Sequence, residues 1–377
     1  ESNYFIFEVK QKLMIVQDVI THLEALAPLA YAEEFDNVGL LIGDKNTKIT
    51  GVLVTLDTLE KVVDEAIENQ CNLIVSFHPI IFKGLKKITG NSYVERVVLK
   101  AIENKIAIYT IHTALDNAFD GVNGSLCDIL GIQNRTVLIP QSGTIKQLTT
   151  YVPTKDAERV RNALFEVGAG SISNYDNCSF NLTGEGTYKG NENSNPVVGK
   201  KHVLQKETEI QVKISFNKHL ENRILKTLFQ SHPYEEVAYE IITLENTNQH
   251  IGMGMVGYLD KPMQSTEFLT FIKNKLNCSI IRHSKLLDTP IHKVAVLGGS
   301  GSFAIEAAKL AGAEAFITSD LKYHDFFRAE NDLLLSDIGH YEGEQHIKNI
   351  LVASLKKKIT NFTVLLSKIN TNPVKYI

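Results

Sequence analysis

The chain has 377 residues, of which 44% are hydrophobic and 22% charged, and its formal net charge is −4. This composition is ordinary for a globular protein with a normal core, and the length favours two or three domains over one. The weakly negative charge gives no reason to expect binding to nucleic acid or to an anionic membrane. Because no apolar run approaches about 18 residues, we predict no membrane span.

The termini and cysteines indicate a cytoplasmic protein. Residues 1–13 lack the basic start and continuous apolar core of a signal peptide, and we interpret them as an extension before a start at Met14. Four cysteines without CxxC spacing are expected to be reduced, structural thiols: Cys71, Cys127, Cys178 and Cys278.

Strands and helices alternate between residues 14 and 140. A helix is predicted from Ile15 by its apolar spacing, and another over 58–70. Three short apolar runs, at 52–56, 72–76 and 106–111, are typical of strands buried on both faces. This order predicts a first α/β lobe with a largely parallel sheet.

The pattern changes over residues 141–250. Strand-like and helix-like segments follow one another there in the order β-α-β-β-α-β, which is the ferredoxin-like arrangement. Polar, turn-rich sequences flank this segment and are typical of linkers. We therefore predict an α+β domain inserted into a host α/β fold.

The α/β pattern resumes over residues 251–377 and repeats the layout of the first lobe. In the first lobe, strands start at Val52 and Leu73; in the second, they start at Val294 and Ala315, with the same spacing. We predict two similar α/β lobes that form one core, with 251–377 as the second lobe.

Histidines and carboxylates follow the predicted strands, where open α/β sheets bind ligands. The first lobe supplies His78, His112 and Asp116. The second lobe supplies a larger set: Asp320, His324, Asp325, His340, Glu342 and Glu344. Imidazole and carboxylate together suit zinc, iron or manganese, as one ion or two. If a helix begins near His340, then His340 and Glu344 share one face.

Simpler interpretations remain open for these groups. His112 and Asp116 fit a turn before a helix, and a glutamate near a helix start is favoured by the helix dipole. The GGSGS sequence at 298–302 fits either an anion site or a tight turn capped by Ser300 or Ser302.

Other charged residues are candidates of lower rank. Asp36 and Asn37 fit a turn or the lining of a site, and a basic loop fits an anion-attracting surface or a solvated one: Lys83, Lys86 and Lys87. The remaining histidines singled out here are interpreted as surface residues: His219, His232, His250, His283, His292 and His346.

Six sequence segments together resemble the Nif-three-like family, also called GTP cyclohydrolase 1 type 2 homologs. They are FDNVGLLIGD (35–44), SFHPIIFKGLKKI (76–88), IHTALDNAFDGVN (111–123), VLGGSGSFA (296–304), ITSDLKYHD (317–325) and DIGHYEGE (337–344). The inserted segment, with QSHPYEEVAYEI at 230–241, is similar to the PII-like or CutA-like insert of longer members.

The resemblance implies a dinuclear divalent-metal site between the lobes, in a toroidal hexamer. Carried onto this sequence, the family pattern gives four metal ligands: His78, Asp116, His340 and Glu344. His112 is implied to orient a ligand rather than to bind metal. Phe77 replaces the first histidine of the family's His-His-Pro motif, so one metal is expected to be weakly held or absent.

Two functions follow from the resemblance. The first is a metal-dependent hydrolase in which activated water attacks GTP or another nucleotide-like substrate, with Glu344 and His324 as catalytic residues and Glu342 as an alternative proton carrier. The second is a non-catalytic, metal-binding or regulatory ring, which the loss of a ligand at Phe77 favours.

Overall fold

The computed structural model describes residues 14–359 and 362–377. The predicted extension at 1–13 lies outside the described residues. The described residues form two compact units: one contains those up to Ile139 and those from His250 onward, and the other spans Pro140–Gln249.

The first part of the larger unit contains the predicted alternation of helices and strands. In chain order its elements are α1 (Val16–Leu26), β1 (Gly39–Ile42), β2 (Gly51–Thr55), α2 (Glu60–Glu68), β3 (Leu73–Ser76), α3 (Tyr93–Glu103), β4 (Ala107–Thr110), α4 (His112–Asp116), α5 (Val122–Leu130) and β5 (Gln133–Pro140). Every residue of β2, β3 and β4 is buried, as expected for continuous apolar runs covered on both faces.

The smaller unit follows, and the larger unit then resumes. The smaller unit contains β6 (Ile145–Pro153), α6 (Ala157–Glu166), β7 (Phe180–Lys189), β8 (Leu204–Asn217), α7 (Glu221–Ser231) and β9 (Tyr239–Leu244). The rest of the larger unit contains β10 (Gly252–Met263), α8 (Ser265–Leu276), β11 (Arg282–His283), β12 (Ile291–Ser300), α9 (Ile305–Leu310), β13 (Ala315–Ser319), β14 (Leu334–Asp337), α10 (His340–Glu344), α11 (Ile347–Lys358) and β15 (Thr363–Leu366).

The two sheets of the larger unit carry the predicted repeat. The first has the order β1-β4-β3-β2-β15, and the second has the order β11-β14-β13-β12-β10-β5. Val52 pairs with Leu73 in parallel, and Val294 pairs with Ala315 in the same way. The equal spacing seen in the sequence is therefore an equal register in the structure.

The chain end joins the first sheet, which differs from the predicted assignment of all of 251–377 to the second lobe. Strand β15 pairs in parallel with β2, and β5 from the first segment joins the second sheet. The cause is burial of the apolar face of α11, because Ile347, Leu351 and Leu355 pack into the core of the first lobe. That packing directs the following strand to the free edge of β2.

The smaller unit is a four-stranded antiparallel sheet with one face covered by two helices. Its strand order is β7-β8-β6-β9, and its chain order is β-α-β-β-α-β. Apolar residues of α6 and α7 pack on β6 and β8, including Val160, Leu164, Ile224, Leu228, Val212 and Ile214. None of the helices in the described parts of the chain has the length and apolar character that a bilayer crossing requires.

Candidate metal centre

The carboxyl ends of β3 and β4 place three candidate side chains in the first lobe. The His78 N–H donates to the Leu56 carbonyl (2.9 Å), and the His112 N–H donates to the Phe77 carbonyl (3.0 Å). His112 begins the short helix α4, and Asp116 ends it. The backbone thus fixes both histidines at one edge of the sheet.

In the second lobe, α10 begins at His340, which meets the condition under which His340 and Glu344 share a face, so one helical turn places Glu344 beside His340. The Glu344 carboxylate lies between two imidazoles, with Oε2 3.1 Å from His340 Nε2 and 3.0 Å from His78 Nε2. Ligand atoms of these three residues lie within 4.8 Å of one another. The two lobes therefore contribute to one cluster.

Several buried atoms of this cluster have no hydrogen-bond partner. They are His78 Nε2, Glu344 Oε2 and, from α4, Asp116 Oδ1. The histidine–glutamate contacts are short, but they do not have hydrogen-bond geometry. Buried polar atoms without partners are costly, and atoms that converge without bonding one another are typical of a site for a cation.

The other nitrogen of each imidazole contacts a carboxylate. His78 Nδ1 lies 2.8 Å from Asp57 Oδ1, and His340 Nδ1 lies 2.6 Å from Asp320 Oδ2. Such carboxylates orient metal-binding histidines and make them better donors. The sequence analysis missed Asp57, although it follows β2 just as His78 follows β3, and the same strand-end rule would have found it.

The charges of the cluster shift its pKa values strongly. Burial alone would lower the pKa of His78 and of His340, but the neighbouring carboxylates raise these values to about 9 and about 11. Burial would raise the pKa of Glu344, yet the two imidazoles lower it to about 2. In the metal-free protein, therefore, two protonated imidazoles lie on either side of an ionised glutamate.

Asp116 faces the same charges from α4. Burial, followed by repulsion from Glu344, raises the pKa of its carboxyl well above the ordinary value. Because its Oδ1 is buried and unpaired, Asp116 has an acceptor atom available to a cation.

The glycine-rich loop after β12 lies against the cluster. A Cβ on Gly299 would lie 2.3 Å from Glu344 Oε1, and its φ of +73° also favours glycine. The Gly298 N–H donates a hydrogen bond to Asn123 Oδ1 (2.9 Å), and the Ser300 hydroxyl donates to Asp320. Neither Ser300 nor Ser302 caps the helical turns that follow, so the structure does not contain the serine cap that was one of the two alternatives for this loop. The absence of a side chain at Gly299 leaves space for the Glu344 carboxylate.

Comparison with known proteins defines the family. A family model described as Duf34/NIF3 (NGG1p interacting factor 3) matches residues 14–373. This chain belongs to the Duf34/NIF3 family. The predicted resemblance is thereby confirmed.

Individual Duf34/NIF3 relatives match along nearly the whole chain. A GTP cyclohydrolase 1 type 2 homolog of Bacillus subtilis is 36% identical over 370 residues, covering 96% of this chain and 98% of the relative. A protein of the same name from Halalkalibacterium halodurans is 37% identical over 366 residues, covering 96% and 98%. The crystal structure of a Bacillus cereus protein related to NIF3 has a TM-score of 0.84 and 35% identity, covering 97% of this chain and 100% of that one. These matches confirm the α/β fold class.

Phe77 distinguishes this Duf34/NIF3 chain from the expected ligand pattern. Its side chain is fully buried in the core of the first lobe, and its ring centroid is 4.9 Å from that of His78 and 5.5 Å from that of His112. Nδ1 of His112 lies 2.9 Å from Asp36 Oδ1. Burial would raise the pKa of Asp36, but hydrogen bonds from His112 and Thr113 outweigh it and lower the pKa to about 2. The aromatic ring at 77 supplies no donor atom for a second ion.

The remaining second-lobe candidates lie around the cluster or away from it. Glu342 is buried, and its Oε1 accepts from Asn372 Nδ2 (3.2 Å). Asp325 accepts from the Lys322 N–H (2.8 Å). His324 is exposed on a 3₁₀ turn, beside the Tyr323 and Phe327 rings.

The lower-ranked candidates divide in a similar way. Asp36 contacts His112 Nδ1 through its carboxylate, and Asn37 Nδ2 donates to the Ile81 carbonyl. His232 is 7% exposed, and its Nε2 lies 3.0 Å from the Tyr151 carbonyl, so its surface assignment is wrong. The three lysines of the basic loop are exposed: Lys83, Lys86 and Lys87.

A cavity of about 410 Å³ opens beside the cluster. Its wall includes His78, His340 and Asp320, together with Arg282 and the chain-end residue Tyr376. Arg282 donates to Asp337 and to the Leu321 carbonyl, and its guanidinium lies 5.6 Å from the Phe326 ring centroid. The cavity thus joins the candidate ligands to a fixed cationic group.

Proposed function

We propose that this protein binds one divalent transition-metal ion through His78, His340 and Glu344, with Asp116 as a fourth ligand. The proposal depends on one observation: ligand atoms of His78, His340 and Glu344 lie within 4.8 Å of one another, and the buried His78 Nε2 and Glu344 Oε2 have no hydrogen-bond partner. Two imidazoles with one or two carboxylates suit zinc, iron and manganese. The carboxylates behind each imidazole support the same assignment.

We further propose a hydrolytic activity on a small anionic substrate such as a nucleotide. A bound divalent ion supplies Lewis-acid chemistry and makes water a usable nucleophile near neutral pH. Arg282 and Tyr376 line the cavity and would hold the anionic part of the substrate. The names of the relatives point to GTP as the first nucleotide to test.

Residues around the cavity have distinct proposed roles in that reaction. Asp57 and Asp320 orient the imidazoles, and buried Glu342 lines the cavity as a proton carrier. Glu344 would hold the ion, and its pKa of about 2 keeps the carboxylate ionised at neutral pH. His324 stays a predicted proton carrier, although it is exposed and is not part of the cavity wall.

Elemental analysis of the purified protein tests the metal proposal. We expect about one zinc, iron or manganese ion per chain, lost in His340→Ala and retained in His283→Ala, which removes an exposed histidine on β11, the strand beside β14. Unchanged metal content in His340→Ala would contradict the site. In Phe77→His, a second ion is expected, because the new imidazole restores the missing donor.

Nucleotide turnover tests the hydrolytic proposal separately. The metal-loaded protein should convert GTP or another nucleotide, and His340→Ala should lose that activity while His283→Ala keeps it. A loaded protein that turns over no nucleotide contradicts this part while leaving the metal site standing.

A non-catalytic role is the second candidate, and the buried ring of Phe77 favours it because a two-metal site cannot be completed there. Activity that appears only in Phe77→His, together with a second ion, would support this alternative.

We also propose that the protein forms a homohexamer, which light scattering should show as the mass of six chains.

A further inference from the structure

A second cavity, of about 870 Å³, lies within the smaller unit, on the sheet face away from the helices. Alternate residues of β8, such as Val212 and Ile214, pack against the helices. Glu209 and Gln211 therefore point to the other face. Tyr151 pairs with Gln211 across the sheet and lines the same cavity.

A buried carboxylate lies in this cavity. Glu209 is 8% exposed, and its Oε1 accepts a hydrogen bond from the Tyr234 hydroxyl (2.8 Å). Within the described residues, its Oε2 accepts no hydrogen bond and Glu209 forms no ion pair. A Cβ on Gly186 would lie 2.1 Å from that oxygen, so glycine makes room for the carboxylate. A buried carboxylate favours a cation or further hydrogen-bond donors at its second oxygen.

The rest of the wall favours a cationic ligand. Three tyrosines line the cavity, and the ring centroids of Tyr188 and Tyr234 are 5.8 Å apart. The charged residues of the wall are four acids and a single lysine: Glu185, Glu209, Glu235, Glu236 and Lys189. One of these acids, Glu185, is paired with Lys206 (2.8 Å), which leaves three acids against one lysine. Aromatic faces attract ammonium and guanidinium groups, whereas a wall with this excess of acids repels phosphates and carboxylates.

We propose that this cavity binds a small organic cation, an amine or guanidinium with an apolar body. The charged group pairs with Glu209 Oε2, and the apolar part lies among Tyr151, Tyr188 and Tyr234. The site is independent of the metal centre and of any hydrolytic activity.

Calorimetric titration of the full-length protein with phenethylamine and agmatine tests the proposal. Phenethyl alcohol is the neutral counterpart of the first probe. Glu209→Gln removes the charge but keeps an oxygen that can accept from Tyr234. Glu158→Gln is the matched control, since Glu158 is exposed on α6, which packs on the opposite face of the sheet, and lies outside the cavity wall.

We expect both cations to bind saturably, with one site per chain, and the alcohol to bind at least about tenfold more weakly. Glu209→Gln should weaken the binding of both cations by a similar factor, and Glu158→Gln should leave their binding unchanged. If neither cation binds, or if the alcohol or Glu209→Gln matches the parent titration, the proposal is overturned. A change in oligomer mass in Glu209→Gln, without cation binding by the parent, would show that a second copy fills the cavity and would also overturn it.

Discussion

Replacing Gly299 by alanine should disrupt the metal centre without touching any ligand. The new Cβ would lie 2.3 Å from Glu344 Oε1 and 3.6 Å from His340 Cε1. A carbon and an oxygen cannot remain at the shorter distance, so the carboxylate must move. Glu344 is held between His78 and His340, and any shift separates it from at least one imidazole.

The structure gives a magnitude for two separable effects. Gly299 has a φ of +73°, where alanine costs about 1–2 kcal/mol in backbone strain. Gly312 has a φ of +69°, and a Cβ there meets only Lys293 Nζ at 4.0 Å. Both alanine variants should therefore lose similar stability and melt a few degrees lower than the parent. Only Gly299→Ala should also lose metal affinity, by at least about tenfold, the lower bound for losing an outer partner of a ligand.

Competition with a chromophoric chelator measures the affinity, and thermal unfolding measures the stability. Each variant is compared with the parent at equal protein and zinc concentrations. Equal zinc affinity in Gly299→Ala and Gly312→Ala would refute the reasoning, because it would mean that Glu344 is not the group that holds the ion.

Three further predictions follow from the same cluster. Asp57→Asn should weaken metal binding by about tenfold through poorer orientation of His78, whereas Asp64→Asn, which breaks an ion pair with Lys100, should leave the chelator titration unchanged. Raised pKa values of about 9 and about 11 mean that His78 and His340 are protonated near neutral pH in the metal-free protein, so metal uptake must release protons. The apparent metal affinity should therefore rise with pH up to about 11. Calorimetry in buffers of different ionisation heat counts the protons, and the release of none would contradict the pKa shifts. In metal-free protein the raised imidazole pKa values contribute stability that is complete below the ordinary value of 6.5 and is lost as pH rises, through about 9 for His78 and about 11 for His340. The Glu344 contribution is lost as pH falls from 4.5 towards about 2. Urea unfolding across this range tests the signs, and stability that rises from pH 7 to pH 9 would contradict the sign for the imidazoles.

The strand ends were the most predictable part of the centre. Fully buried apolar runs fix β3 and β4, and the polar residues that follow must lie at one edge, which located His78 and Asp116 from sequence. The helix start at His340 was only a condition in the sequence, and the structure meets it, so the four-residue spacing places His340 and Glu344 on one face. The metal assignment itself stays a prediction.

Other features depend on contacts that the sequence does not encode locally. The position of β15 is set by the packing of α11 on the first lobe, and an apolar strand sequence does not specify which open edge it will pair with. His232 is buried, and its Nε2 contacts the Tyr151 carbonyl of β6, which is 81 positions away in the chain. The room around Glu344 depends on the missing side chain of Gly299, which the sequence presents only as one glycine of a turn.

The placement of β15 has a consequence for the order of folding. Its pairing with β2 closes a long loop: Ser367, just after this strand, contacts Glu65 across 302 positions of the chain. Contacts of such separation are slow to form because the loop-closure entropy must be overcome first. While the chain is being synthesised, the edge of β2 stays open until residues 363–366 have emerged, and an open edge can pair with another chain. The first lobe is therefore the first α/β part to be made and among the last to be completed.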